Sequence, residues 1–152
     1  MKPVETVMRT APVIPVLVIE DAAHARPIAE ALVAGGLPVL EVTLRTAAAL
    51  DVIAEMKKVP GAIVGAGTIV DIPGLESAIA AGAEFIVSPG LTDNLGKAAV
   101  AKGIPFLPGI ANAGDIMRGL DLGLTHFKFF PAEANGGLPA LISLIGPFGQ
   151  CK

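Results

Sequence analysis

Short apolar runs alternate with alanine-rich stretches along the chain. The apolar runs have the length of β-strands and predict strands at residues 13–19, 38–44, 62–65, 85–87, 104–107 and 125–130. The stretches between and after them predict helices at residues 22–34, 46–58, 72–81, 92–102, 113–120 and 138–145. Nearly continuous apolar strands separated by helices are typical of a parallel sheet whose faces are covered by those helices.

Glycines follow the predicted helices at regular intervals. Every helix except the last ends at a glycine, where a left-handed cap is expected, and these glycines are about 20 to 26 residues apart: Gly35, Gly61, Gly82, Gly103 and Gly123. This interval is the length of one βα unit. The sequence therefore predicts an α/β protein built from repeated βα units.

The second predicted strand distinguishes between the two architectures that use this unit, a doubly wound open sheet and a (β/α)8 barrel. Alternation along that strand places Glu41, Thr43 and Arg45 on one face and apolar side chains on the other. Helices cover both faces of an open sheet, which seldom accepts two charges on one face. A barrel strand has an inner face that is polar near the active-site end, so the pattern favours the barrel. No Gly-x-Gly-x-x-Gly motif follows the first strand to support a dinucleotide-binding fold.

The number of units is smaller than a closed barrel needs. Residues 1–152 are expected to form a single (β/α)-barrel domain of the (β/α)8 TIM-barrel type with about six βα units, whereas eight such units need roughly 180 residues or more. The barrel is then either open or a fragment that lacks about two units. An open barrel exposes two strand edges, which favour aggregation or pairing with another chain.

Composition excludes several classes of protein. The chain has 152 residues, 53% of them apolar, and a net charge of -3, which argues against disorder. The mean hydropathy of +0.69 raises the question of a membrane protein. However, Asn135, Pro139 and Pro147 interrupt the longest uncharged run, and no stretch of about 20 apolar residues remains. A pI near 5.3 without a lysine or arginine cluster argues against nucleic acid as a partner.

The first 25 residues resemble a secretion signal only superficially. An apolar stretch at 11–19 precedes an Ala-His-Ala sequence at 23–25, but Pro12 and Pro15 break the apolar stretch. The lone Cys151 excludes an internal disulfide and is expected to be inert. A cytoplasmic location is therefore expected.

Lys128 is the strongest catalytic candidate in the residue pattern. It lies within an apolar strand and shares one face with Phe130, whereas Phe127 and Phe129 lie on the other. A neutral amine in an apolar pocket is what imine formation with a carbonyl substrate requires. The alternative is a charged residue that protects an edge strand from aggregation.

Glu41 and Arg45 supply further polar groups on the inner face of the second strand. A carboxyl group in an apolar barrel interior suits general acid/base chemistry near neutral pH, although Glu41 could instead serve only as the ionic partner of Lys128. Arg45 lies at the carboxyl end of its strand, where barrel active sites form, and could hold a carboxylate with two hydrogen bonds. Its alternative is a surface arginine.

Other strand ends carry small residues. Gly65 to Thr68, Ser88 to Gly90 and Pro108-Gly109 are expected on the same rim, where glycine admits a ligand and Thr68 offers a hydroxyl. Neither His24 nor His126 has the spacing of a metal ligand.

The chain resembles the 2-dehydro-3-deoxy-6-phosphogluconate (KDPG) aldolase family, with the resemblance running from about residue 13 to the end. EVTLRT and FKFFPAE are together highly specific for that family. The matching segments are EVTLRT (41–46), GAGT (65–68), SPGLT (88–92), PGI (108–110) and FKFFPAEANGG (127–137).

The resemblance implies a fold, a reaction and a set of site residues. It implies a class I aldolase of the Entner–Doudoroff pathway with a (β/α)8 barrel, usually a homotrimer, which cleaves KDPG to pyruvate and glyceraldehyde 3-phosphate. Lys128 would be the Schiff-base lysine and Glu41 the general acid/base. The pyruvate end would be held by Arg45, Thr68 and Pro89, with Phe130 packed beside it. No metal or organic cofactor is implied, because the imine itself withdraws electrons.

The chain departs from the family pattern at its carboxyl end. Family members continue with a Gly-Gly-containing phosphate loop after strand seven and a Gly-Gly-Ser segment at strand eight, and neither is present. We therefore expect a severe loss of activity on a phosphorylated substrate if the chain acts alone. Three alternatives stay open: a 4-hydroxy-2-oxoglutarate (KHG) aldolase, a catalytically silent fragment or assembly subunit, and a sugar-phosphate isomerase barrel, which would leave Lys128 unexplained.

Overall fold

The computed structural model describes residues 3–152 and contains one six-stranded parallel sheet whose strands follow the chain order. The strands are β1 (Val16–Leu17), β2 (Val39–Thr43), β3 (Ile63–Gly67), β4 (Ile86–Ser88), β5 (Phe106–Ile110) and β6 (Lys128–Phe129). Each strand pairs in parallel with the next. The sheet is an incomplete TIM-type barrel, which confirms the predicted fold class.

Helices connect the strands and cover the outer face of the sheet. They are α1 (Val4–Thr10), α2 (Ala25–Ala34), α3 (Ala49–Met56), α4 (Ile72–Ala80), α5 (Asp93–Lys102), α6 (Ala113–Asp121) and α7 (Gly137–Ile145). Short 3₁₀ helices span Ala22–His24 and Glu133–Asn135. Polar residues begin several of these helices: the side chains of Asp71, Thr92 and Asn112 accept hydrogen bonds from backbone N–H groups in the first turns of α4, α5 and α6.

The glycine prediction is confirmed at three of its positions and wrong at two. Gly82, Gly103 and Gly123 end α4, α5 and α6 with positive φ, as left-handed caps require. Gly61 also has a positive φ, but α3 ends at Met56, so this glycine lies in the turn beyond the helix and does not cap it. Gly35 has a φ of -78°, and the left-handed residue after α2 is Gly36, with a φ of 86°. The helix therefore turns one residue later than predicted, because either glycine of the pair can adopt the left-handed conformation.

Alternation along the strands divides the core into two layers. Leu40, Val42, Val64 and Ala66 point outward and pack beneath the helices. A second cluster points inward and fills the lower part of the barrel: Val7, Ala11, Val39, Ile63, Phe85 and Val87. The upper part of the interior carries polar groups instead.

Helix α1 closes the floor of this interior, a role that the sequence pattern did not predict. Its Val7 is 2% exposed and packs with residues at the amino-terminal ends of the strands. Glu5 of α1 also pairs with Lys152 at an Nζ–Oε1 distance of 2.7 Å. The lower end of the barrel is thus shut by an element from the start of the chain.

The seal made by Val7 is expected to stabilise the fold. Val7→Ala deletes two buried methyl groups and should lower the free energy of unfolding by about 1–3 kcal/mol, measured by urea denaturation. Val100→Ala is the matched control, since Val100 is a helical valine that is 45% exposed, and it should change stability by less than about 0.5 kcal/mol. Equal losses of unfolding free energy in the two variants would contradict a stabilising role for Val7 at the floor of the barrel.

β1 and β6 are the edges of the sheet. On β1, Val16 and the adjacent Val18 are 48% and 50% exposed although Val16 pairs with the buried Glu41. At the other edge, Lys152 extends the sheet pattern: its N–H donates to the carbonyl of Thr125, and its carbonyl accepts from the N–H of Phe127. Within residues 3–152, no helix is long and apolar enough to cross a membrane.

Candidate active site

The inner face of β2 carries the buried polar side chains. Glu41 is 4% exposed and Thr43 is fully buried, as the alternation of that strand predicts. The hydroxyl of Thr43 donates to the carbonyl of Leu17 at 2.9 Å, which ties β2 to β1 near the rim. Glu41 thus lies deep in the barrel on a strand that is fixed on both sides.

Lys128 meets Glu41 across the interior. Its Nζ lies 3.4 Å from Oε1 of Glu41, and the side chains are 25% and 6% exposed, respectively. The same Nζ lies 5.0 Å from the centroid of the Phe130 ring, within the range of a cation–π interaction. Lys128 is therefore within reach of both Glu41 and Phe130.

The electrostatics of this pair suit proton transfer. Burial raises the pKa of the Glu41 carboxyl above its ordinary value, although the positive charges of Lys128 and Arg45 partly oppose the shift. A carboxyl group whose pKa moves toward neutrality can both take up and return a proton. An uncharged amine beside such a carboxyl is the kind of group that attacks a carbonyl carbon.

Arg45 and Thr68 form a second polar group at the rim. The Nε–H of Arg45, just beyond β2, donates to Oγ1 of Thr68 at 3.1 Å. Thr68 has a φ of 60°, a left-handed conformation that a β-branched residue rarely adopts. Strained backbone of this kind concentrates at ligand-binding sites. The exposed guanidinium and the adjacent hydroxyl offer hydrogen-bond donors to an anion.

Pro89 reaches the site through a close backbone contact. It follows β4, and its carbonyl group lies where a side chain at Gly109 would have to be. Gly109 in turn pairs with Lys128 in the sheet. Pro89 is therefore two strands from the lysine on the same rim, and only a glycine at position 109 permits this approach.

The predicted residues thus form two adjacent groups. Lys128, Glu41 and Phe130 lie within the interior, while Arg45 and Thr68 lie at its mouth. Two further contributors belong to the rim segments that the sequence marked by their small residues, but their individual contacts were not predicted. The hydroxyl of Ser88 donates to the carbonyl of Gly90 at 2.6 Å and orders the turn that holds Pro89. Gly67 lies directly against the Glu41 carboxyl.

The opposite face of β6 is apolar and separate from this chemistry. Phe127 and Phe129 line a small outer pocket between α6 and α7, which confirms the predicted alternation of the strand. Cys151 lines the same pocket, where burial raises the pKa of its thiol above the ordinary value. A raised pKa lowers the fraction of the reactive thiolate form.

Comparison with known proteins identifies the family. Residues 4–152 match the family model "KDPG and KHG aldolase". A 2-dehydro-3-deoxy-phosphogluconate aldolase of Zymomonas mobilis is 64% identical over 152 residues, which are 100% of this chain and 73% of that protein. A KHG/KDPG aldolase of Escherichia coli K12 is 54% identical over 149 residues, which are 97% of this chain and 70% of that protein.

Solved structures agree in fold. A crystal structure of the aldolase from Zymomonas mobilis ATCC 29191 superposes with a TM-score of 0.98 at 64% identity, covering 99% of this chain and 73% of the other. A Legionella pneumophila KDPG aldolase with pyruvate captured as a covalent carbinolamine superposes with a TM-score of 0.95 at 44% identity, covering 99% and 74%. The chain belongs to the KDPG and KHG aldolase family.

Proposed function

We propose that this chain carries the active centre of a class I aldolase, a carbon–carbon lyase that cleaves KDPG to pyruvate and glyceraldehyde 3-phosphate. The observation that carries the proposal is the 3.4 Å approach of Lys128 Nζ to Glu41 Oε1 inside the barrel of a chain that matches the aldolase family model. The covalent carbinolamine of pyruvate in the Legionella relative supports the same chemistry. We also propose that the continuous sheet forms one domain.

Imine formation is the first part of the proposed reaction. The Lys128 amine attacks the C2 carbonyl carbon of the substrate, and the resulting carbinolamine loses water to form a protonated imine. The imine nitrogen withdraws electrons from the bond between C3 and C4. Phe130 supplies an apolar wall on one side of the amine.

Glu41 moves the proton in the second part. Its carboxylate takes the proton from the C4 hydroxyl, the C3–C4 bond breaks, and glyceraldehyde 3-phosphate leaves while the bonding electrons form an enamine. The carboxyl then returns a proton to C3, and water hydrolyses the pyruvate imine. The raised pKa of Glu41 suits both directions of transfer.

Arg45 and Thr68 hold the substrate carboxylate in this proposal. Arg45→Lys keeps the charge but loses the planar fork, and it should raise the KM for pyruvate in imine formation about tenfold while leaving trapping at saturating pyruvate intact. Arg26→Lys is the control, because Arg26 lies on the exposed surface of α2. An unchanged KM in Arg45→Lys would remove Arg45 from the binding site.

Borohydride reduction in the presence of pyruvate tests the proposal directly. Intact mass and peptide mapping should locate a reduced pyruvate adduct on Lys128. A folded chain that gives no adduct would support the silent-fragment alternative. The E. coli relative's name, KHG/KDPG aldolase, motivates comparing kcat/KM for KDPG and for 4-hydroxy-2-oxoglutarate, which share the pyruvoyl end and differ at the distal end.

The assembly and location follow from the resemblance and composition rather than from the site. We propose a homotrimer, which light scattering would test against a monomer or a broad distribution. The lone cysteine accords with a cytoplasmic location, which imaging of a fluorescent fusion would test. The substrate is a small 2-keto acid in either reading of the specificity.

A further inference from the structure

The inner face of β3 is built from residues without a large side chain near the rim. Ile63, Gly65 and Gly67 alternate inward, whereas Val64 and Ala66 point out to the helices. Gly65 pairs with Glu41 and Gly67 pairs with Thr43 on the neighbouring β2. The two glycines therefore leave space beside the catalytic carboxyl, and different groups fill that space.

The space at Gly67 is filled by Glu41 itself. A Cβ added at position 67 would lie 2.7 Å from both Cγ and Cδ of Glu41, and closer still to its Oε1. Real Cβ atoms do not approach so closely, so the carboxyl occupies the volume that any other residue at 67 would claim. At Gly65 the corresponding space is filled by the ring of Phe85, 2.5 Å from such a Cβ.

Conformation does not explain the glycine at position 67. Gly67 lies in a regular strand paired with β2, and its φ is outside the positive range that excludes other residues. The reason for the glycine is therefore the space it leaves. The hydrogen bond from Lys128 is long, at 3.4 Å, and the carboxyl also lies against the β3 backbone at Gly67.

We propose that Gly67 is a positioning residue, which seats the Glu41 carboxyl against β3 so that it faces the Lys128 amine. The catalytic consequence of this inference rests on the proposed aldolase function, whereas the position of the Glu41 carboxyl against Gly67 does not depend on that function. A methyl group at position 67 pushes the carboxyl out of the seat and away from the carbon atoms attached to the imine. Lys128 loses its contact with the displaced carboxyl but stays on β6, whose backbone pairing with Gly109 does not involve position 67.

The test separates the two chemical steps in Gly67→Ala. Borohydride trapping of pyruvate should stay within about twofold of wild type, because imine formation depends on Lys128. Exchange of the pyruvate methyl protons with deuterated water, followed by NMR, should fall about 10²-fold, because it requires a positioned base. Wild-type exchange in Gly67→Ala would overturn the proposal.

Two controls exclude a general effect of the substitution. Gly65→Ala is the matched variant on the same strand and face; it clashes with Phe85 and should lower the melting temperature while keeping the ratio of exchange to trapping. A loss of exchange in Gly65→Ala equal to that in Gly67→Ala would overturn a specific role for position 67. In Gly67→Ala/Glu41→Asp, the shorter side chain should recover part of the space. The loss of proton exchange caused by Gly67→Ala should then be at least about threefold smaller in the Glu41→Asp background than in the wild-type background.

Stability supplies a measurement that does not depend on catalysis. If Gly67→Ala unfolds or melts early, Gly67→Ala/Glu41→Ala should recover the stability, because it removes the group with which the methyl collides. If the double variant does not recover stability, the proposal that the Glu41 carboxyl fills the space at position 67 is overturned. If the wild type traps no pyruvate, the proposed function fails. The coupling of stability between positions 67 and 41 still shows whether the Glu41 carboxyl lies against Gly67.

Discussion

Lys128→Arg is expected to give no pyruvate adduct on borohydride reduction and to lower aldol cleavage by about 10⁴-fold or more. Arginine keeps a positive charge opposite Glu41, so the carboxylate is not left alone in the barrel. The guanidinium stays protonated at all accessible pH values and cannot form the imine. The measurement is intact mass after reduction together with a coupled assay for pyruvate release.

The matched control for that loss is Lys97→Arg. Lys97 is an exposed lysine on α5, and its replacement should leave both trapping and turnover unchanged. An adduct that persists in Lys128→Arg and disappears in Lys97→Arg would contradict the assignment by placing the nucleophile on α5 rather than on β6. Circular dichroism on each variant shows whether the fold is retained.

Glu41→Gln should separate binding from turnover. The amide has the shape of the carboxyl but cannot accept a proton, so pyruvate is still trapped on Lys128 while cleavage falls by about 10²–10⁴-fold. Retained turnover in this variant would remove Glu41 from the reaction. Glu55→Gln is the control, because Glu55 is half-buried near the end of α3 and pairs with Lys58 away from the barrel interior; it should behave as wild type.

The pH dependence gives the same residue a second signature. Burial raises the pKa of Glu41, and the deprotonated carboxylate is the form that accepts the hydroxyl proton. The kcat/KM of the wild type should therefore fall as the pH is lowered through a value above the ordinary glutamate range, and Glu41→Gln should lack this limb. For stability the sign is opposite: the folded wild type favours the protonated form and loses that contribution as the pH rises through the raised pKa.

The sequence predicts the repeating units and the face on which chemistry occurs because both depend on local periodicity. Alternation along 41–45 places Glu41 and Thr43 inward, and the structure confirms this. The bounds of β1 were wrong, since only Val16–Leu17 of the predicted 13–19 pairs regularly. That strand is an edge, where pairing depends on neighbours that lie far along the chain.

Two parts of the molecule could not be predicted locally. Helix α1 is short and mostly polar, and its single buried residue, Val7, acquires its role only when the strands form a floor to be sealed. Gly67 belongs to a segment that was interpreted as admitting a ligand. In the structure its neighbour is the side chain of Glu41 from another strand, and no spacing rule relates positions 41 and 67.

The closed floor also determines how the protein is best oriented on a solid support. Because α1 covers the end of the barrel opposite Arg45 and Thr68, a linker attached to the outer side of α1 leaves the mouth of the barrel facing the solution. A linker placed on the turns after β2 or β3 would shield that mouth. The orientation of the chain on a support is thereby set by which end of the strands is anchored.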